Sequence, residues 1–485
     1  MKTLTIPNLK ASAAVALAPL LCALTIGAAP AHAQEMGEGA HQQEYAGKHG
    51  RFGYRQHNHV NRDGYVSDND RGIQNLAYYG NWGEHGEGNN IYIFDIDKME
   101  LVTTVEETGA GPYGIDQQSP DKAYALTRKT NSLTIVNNQT FANDGIIELA
   151  HYPRSTSYNP KIDRTLVSGG NKAMTSIIKV KENVVGKVFG VDEITEPHDY
   201  GGSLSTGHPM WVTDQKGHEG QMGHEGQMGP KGHKFFMLDR AAREIQLWHT
   251  HEEKLSTLPT QTSVHHIFQP PADTIREGDE HVYYAVEEGN REDSISPAIL
   301  RFKLQGSKLV KTGRVEFNSI NPSRYDASEM GAHHAAFRPD GKYIYAGSAE
   351  GNLFVIRTNK LKVKRVIEVG KGAGHTTFVA ERDLAIITNH NDRFVSVIDT
   401  KTHKWVRNIE VAYDASPDYK SQAHTSGVSL DAKYFYSAAS HDGVFYRIDL
   451  DNWKVKKTDA VPANLLMGSF IWDADGDEGD NVNPM

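Results

Sequence analysis

The hydrophobic positions of this chain fall into short alternating runs separated by polar turns, and the runs come in a repeating order. Ser348 to Arg357 (SAEGNLFVIR), Asn389 to Asp399 (NHNDRFVSVID) and Ser440 to Asp449 (SHDGVFYRID) share one pattern: a strand end, a polar turn, and an alternating strand that closes on a charged residue. Each is preceded by a short strand, a turn and another strand: HHAAFRPDGKYIYAG from His333, GHTTFVAERDLAIIT from Gly374 and AHTSGVSLDAKYFYSA from Ala423. Each is followed by a basic hairpin (LKVKRVIEV, HKWVRNIEV, WKVKKTDAV). Period-two alternation predicts half-buried strands, and four short strands per unit of roughly forty to fifty residues predict a β-propeller blade.

The unit extends toward the amino terminus. GPYGIDQQSPDKAYAL leads to SLTIVNN, RSTSYNPKIDRTLVSGG to TSIIKVK, GHPMWVTD through an insertion to HKFFMLD and EIQLWHT, and SVHHIFQPPAD to HVYYAVEEG and AILRFKL. Blades therefore begin near Pro112, Arg154, His208, His266, His334, His375 and His424. NIYIFDID and LVTTVEE supply outer strands of a unit without a first strand, which LLMGSFIWD near the carboxyl end can provide, closing the ring. The expectation is an all-β, seven-bladed propeller over residues 74–473, with eight blades if the closing unit counts as one.

The flanks differ. Lys2 and Lys10, the apolar stretch from Ala11 to Ala28 and the Ala31-His32-Ala33 site predict an export signal, residues 1–33, cleaved after Ala33. The apolar stretch is too short to span a bilayer comfortably, so no membrane insertion is expected. A polar arm over 34–73 and an acidic, flexible tail over 474–485 complete the division. The expected location is the periplasm.

Composition then narrows the chemistry. The one cysteine, Cys22, lies in the leader. The mature chain therefore offers no disulfide, thiolate copper or iron–sulfur site, and no c-type haem attachment. Without Lys2 and Lys10 the balance is 49 basic against 61 acidic residues, which disfavours nucleic acid as a partner.

Histidine is the outlier, with 24 residues. Aligned on their turns, His208, His266, His334, His375 and His424 open the first strands of five consecutive blades. First strands line a propeller's channel, so one repeated start position converges on the axis. Separately, each would be polar lining of a wet channel; in register they predict a metal site. His390 and His441 in turns, and His151, His198 and Asp199 in lead-in loops, fall around the same mouth. His265 and His333 directly precede ring histidines, and strand alternation turns one of each pair away unless the strand start is irregular. Many imidazoles without thiolate suit copper, zinc or nickel. Because more than four exceed a single tetrahedral zinc, several copper ions are expected. The duplication HEGQMGHEGQMG over 218–229 offers thioether and imidazole on the opposite face, or is a slippage loop without a role.

The blade phrases FVSVID, GKYIYAG and GPYGIDQQSPDKAY resemble YVTN-type propeller repeats over essentially the whole mature chain. EPHDY at Glu196 and HHAAFRPDGKY are similar to the propeller of nitrous oxide reductases, which hold a multinuclear copper cluster in a ring of histidines. Those enzymes add a cupredoxin domain with a cysteine-bound copper pair, for which this chain has no mature cysteine. The closer resemblance is to thiocyanate dehydrogenases, single-domain periplasmic copper propellers. It implies copper ligation by His151, His208, His266, His334, His375, His424 and Asp199. It also implies oxidation of thiocyanate, a small inorganic anion, with water to cyanate and sulfur, the electrons passing to an external acceptor such as a periplasmic cytochrome c. A nearby carboxylate, Glu196 or Glu288, would take the proton, and Lys129 or Lys172 would hold the anion. The alternatives are a non-catalytic periplasmic copper-binding or storage propeller and a YVTN-type binding module.

Overall fold

The computed structural model describes residues 75–83, 86–119, 121–159, 162–190, 205–212, 233–251, 253–413, 424–429, 431–462 and 464–471. The leader, the polar arm, the acidic tail, the duplication over 218–229, and Glu196, His198 and Asp199 lie outside them. Among the described residues no helix is long and apolar enough to cross a membrane.

The described strands form eight four-stranded antiparallel sheets. The innermost strands of blades 2 to 8 are Pro112–Ser119, Pro153–Asn159, Met210–Trp211, Val264–Phe268, Ala332–Phe337, Ala373–Val379 and Ser426–Val428. Blade 1 is composite: Leu465–Ile471 pairs with Leu76–Asn81, which pairs with Ile91–Asp95 and then Glu100–Val105. The carboxyl-terminal stretch thus closes the ring as its pattern predicts, and LAYYGN supplies the additional strand that makes the closing unit a full eighth blade.

Eight apolar clusters, one at each junction between neighbouring blades, hold the ring together. Strand alternation builds them: in blade 6, Ile344 and Ala346 pack toward Phe268 and Tyr284 of blade 5, while Tyr345 between them packs toward Phe378 and Ile387 of blade 7. Both faces of a middle strand are therefore buried, which explains runs such as YIYAGS. Blades 8 and 1 meet in the same way through Tyr436, Phe445, Tyr79 and Phe470, and blades 1 and 2 through Tyr78, Ile93, Ile115 and Val136. Outer strands are mostly exposed, and those of blades 5 to 8 carry two or three Lys or Arg each, as in Lys362–Glu368, a composition that blunts edge pairing.

One irregularity recurs. In blades 2, 3, 5, 6 and 7 the innermost strand carries an extra residue against its neighbour. The register jumps between Pro112 and Ile115, Pro153 and Thr156, Val264 and Ile267, Ala332 and Ala335, and Ala373 and Thr376. Such a bulge breaks strict alternation and re-aims side chains. It falls at Tyr113-Gly114, Arg154-Ser155, His265-His266, His333-His334 and Gly374-His375.

Candidate metal centre

The bulges deliver consecutive histidines to one place. His265 and His266 in blade 5, and His333 and His334 in blade 6, all join a cluster with His208, His375, His390 and His424. Ring centroids are 4.0 Å apart for His265 and His333, 4.6 Å for His265 and His334, 5.2 Å for His266 and His334, and 4.0 Å for His390 and His424. The five histidines in sequence register do meet, and His265, His333 and His390 meet with them.

Two buried triads have ligand atoms within 4.8 Å of one another: His208, His265 and His334 from blades 4, 5 and 6, and His375, His390 and His424 from blades 7 and 8. His334 and His375 join them, with ring centroids 3.7 Å apart. His333 lies between the triads, 5.6 Å from His424. His266, in the sequence register, belongs to neither triad; its Nε2 lies 3.2 Å from the Ala335 carbonyl oxygen, to which it donates.

Backbone contacts lock this geometry. The His208 N–H donates to the His265 carbonyl at 2.9 Å, and the His424 N–H to the Leu466 carbonyl at 2.8 Å, so two histidines are tied to neighbouring blades. Gly374 allows the second triad to form, because any Cβ there would collide with the His390 imidazole.

Burial keeps two of these rings, His334 and His266, neutral. It pushes His334 well below the ordinary imidazole range, helped by His375, His333, His265 and His266, and it pushes His266 down to about 4. A neutral imidazole keeps a lone pair for a metal. The donor set is nitrogen only, with no thiolate, and suits copper, zinc or nickel.

One flank of the cluster is charged. Glu288, in the turn after Val282–Glu287, has Oε1 3.0 Å from His265 Nδ1 and Oε2 2.5 Å from Arg240 Nη2. With Nδ1–H donated to Glu288, the lone pair of His265 lies on Nε2, which faces His208 Nε2 at 3.1 Å. A carboxylate behind a ligating histidine fixes its tautomer and raises its basicity. Arg154, at the bulge position of blade 3, places Nη2 3.3 Å from His265 Nδ1 and is pulled down to about 9 by burial and by Arg240 and Arg128. Arg128 sits over the Tyr113 ring and donates to the Arg154 carbonyl at 3.1 Å. Lysine, as Lys129 or Lys172, is the cation the sequence suggests here, whereas arginines occupy this flank. The signal available was Arg154 itself, which opens its blade where others carry histidine.

The remaining candidates lie elsewhere. His151 is buried, with Nε2 2.8 Å from Ser176 Oγ, and belongs to neither triad. Lys172 donates to the Ala150 carbonyl, and Lys129 lies over the Trp82 ring.

No protein-family model and no curated protein matches the sequence. Solved structures do share its fold. AztD from Citrobacter koseri superposes with a TM-score of 0.53 at 10% identity, covering 82% of this chain and 97% of that one. The dihydro-heme d1 dehydrogenase NirN in complex with DHE gives a TM-score of 0.55 at 11% identity, covering 82% and 75%. The shared feature is the propeller fold. At such identities function has to be argued from the site.

Proposed function

We propose that the chain is a periplasmic oxidoreductase whose two histidine triads hold several copper ions and whose substrate is a small inorganic anion, thiocyanate by the sequence resemblance. The observation that carries this reading is the pairing of two buried nitrogen triads with a guanidinium flank: donors for more than one metal ion, beside a place for an anion. Copper bound there would accept electrons one at a time and lower the pKa of a bound water.

The protein groups then have separate tasks. Arg154, with Arg128 behind it, attracts the anion and orients it against His265. Glu288 holds His265 in the ligating tautomer and anchors Arg240, which makes it a positioning residue. Glu196, outside the described residues, is the carboxylate left to accept a proton. The overall change is thiocyanate plus water giving cyanate, elemental sulfur, two protons and two electrons, and an external acceptor such as a cytochrome c takes the electrons.

The test is thiocyanate-dependent reduction of an added dye by copper-loaded protein, with cyanate and sulfur measured as products. Chloride and sulfate should give none. Copper-replete protein that binds thiocyanate without reducing the dye would overturn the reading in favour of a metal-binding propeller. The absence of tightly bound copper would leave a binding module.

A further inference from the structure

A second group of histidines lies at the far end of blade 4. His233 immediately precedes Lys234–Asp239, His249 ends Glu244–His249, and His251 lies in the turn that follows. The strand pairing that sets Lys234 opposite His249, and the bond from the Thr250 N–H to the His233 carbonyl at 2.8 Å, bring the three to one hairpin end. Their rings form a near-parallel group: centroids are 4.8 Å apart for His249 and His251, 5.9 Å for His233 and His249, and 6.0 Å for His233 and His251, at angles of 11 to 23°.

Chain direction separates this group from the axial cluster. The innermost strand of blade 4 runs away from His208, the second strand starts at that far end just after His233, and the third returns to it at His249. Six strand residues at about 3.3 Å each put the two sites roughly 20 Å apart.

We infer that His233, His249 and His251 form a second, exchangeable metal site for a divalent copper, zinc or nickel ion. The tautomers allow it. His233 Nδ1 lies 3.0 Å from Thr250 Oγ1, and donation to that hydroxyl leaves the lone pair on Nε2. His249 Nδ1 accepts the His251 N–H at 3.2 Å, so coordination through Nε2 moves one proton to Nδ1 and gives that backbone N–H to water. The trade is cheap because His251 is exposed. Glu253 pairs with His249 across the next strand and offers an oxygen as fourth ligand. Of the charged neighbours, Lys234 disfavours and Glu253 favours positive charge at His249. Three imidazoles with one flanking carboxylate suit borderline transition ions and not calcium or magnesium. Partial exposure makes the site one that fills and empties faster than the buried triads.

The test uses the mature chain with 218–229 deleted, so that no histidine of the duplication contributes. Equilibrium dialysis against Cu(II) alone should show one equivalent fewer in His249→Ala/His251→Ala than in its parent, with the metal-free melting curve unchanged. His251→Ala alone, at an exposed position, should weaken that same equivalent at least tenfold and serves if the double variant does not fold. Copper uptake equal to the parent in both variants would overturn the site. Axial copper is read separately as the fraction that survives prolonged dialysis, so failure here leaves the two-triad reading intact.

Discussion

The imidazoles of His334 and His375, carried by the innermost strands of different blades, lie with ring centroids 3.7 Å apart and planes inclined at 34°. Each belongs to a different triad, so this contact turns two three-nitrogen groups into one continuous site. His334→Ala and His375→Ala should each lower bound copper by at least one ion per chain and abolish turnover. The metal-free proteins should melt within a few degrees of wild type, because stability is spread over eight inter-blade clusters and one polar channel residue contributes about 1 kcal/mol or less. Copper analysis and melting curves on the same preparations check this.

Glu288 grips His265 and Arg240 at once. Glu288→Gln keeps a carbonyl that can accept from His265 Nδ1 and loses the ion pair with Arg240. Support of this kind to a metal ligand is worth about 10- to 100-fold in metal affinity or activity. Competition against a chelator should therefore show a drop of that order in the copper whose ligands include His265, with the His375 triad still loaded. Unchanged affinity would mean that Glu288 serves only the ion pair.

Much of this was legible in the chain. Alternation and turn residues announce the blades, LLMGSFIWD announces the closing strand, and five histidines in register announce the axial site. Two things were not. The second strand of the composite blade, LAYYGN, sits among polar residues with no repeat partner beside it, so the pattern alone leaves the count at seven blades or eight. The bulge at the start of five innermost strands is invisible in a pattern of period two, and in blade 5 it decides that His265 joins a triad while His266 turns its Nε2 to a carbonyl. Arg154 follows the same rule: its equivalence to His265 and His333 becomes visible only through the shared bulge.

His403 supplies a pH prediction away from the metal centre. Its Nδ1 lies 2.7 Å from Tyr345 Oη, and burial, reinforced by Lys364, Arg338 and Arg365, pushes its pKa down to about 4. The unfolded chain takes up a proton near the ordinary value of about 6.5, while the folded chain resists it. The contribution of His403 to stability is thus fully present above pH 6.5, shrinks as the pH falls, and levels off near pH 4. His403→Asn removes the titrating ring and tolerates the left-handed backbone there (φ 53°). On acidification from pH 7 to pH 5 the melting temperature of this variant should fall less than that of wild type, both metal-free. Equal falls would contradict a depressed pKa at His403.

The central claim is that the two axial triads together hold more than one metal ion. The direct measurement is the copper content per chain of mature protein lacking 218–229 and carrying His249→Ala and His251→Ala, loaded with Cu(II) and then dialysed exhaustively. With the duplication, His249 and His251 removed, the two triads predict at least two tightly bound copper ions, and His265→Ala or His375→Ala in that background should remove at least one. A content of one or none in the parent, or two that survive both substitutions, would contradict the account.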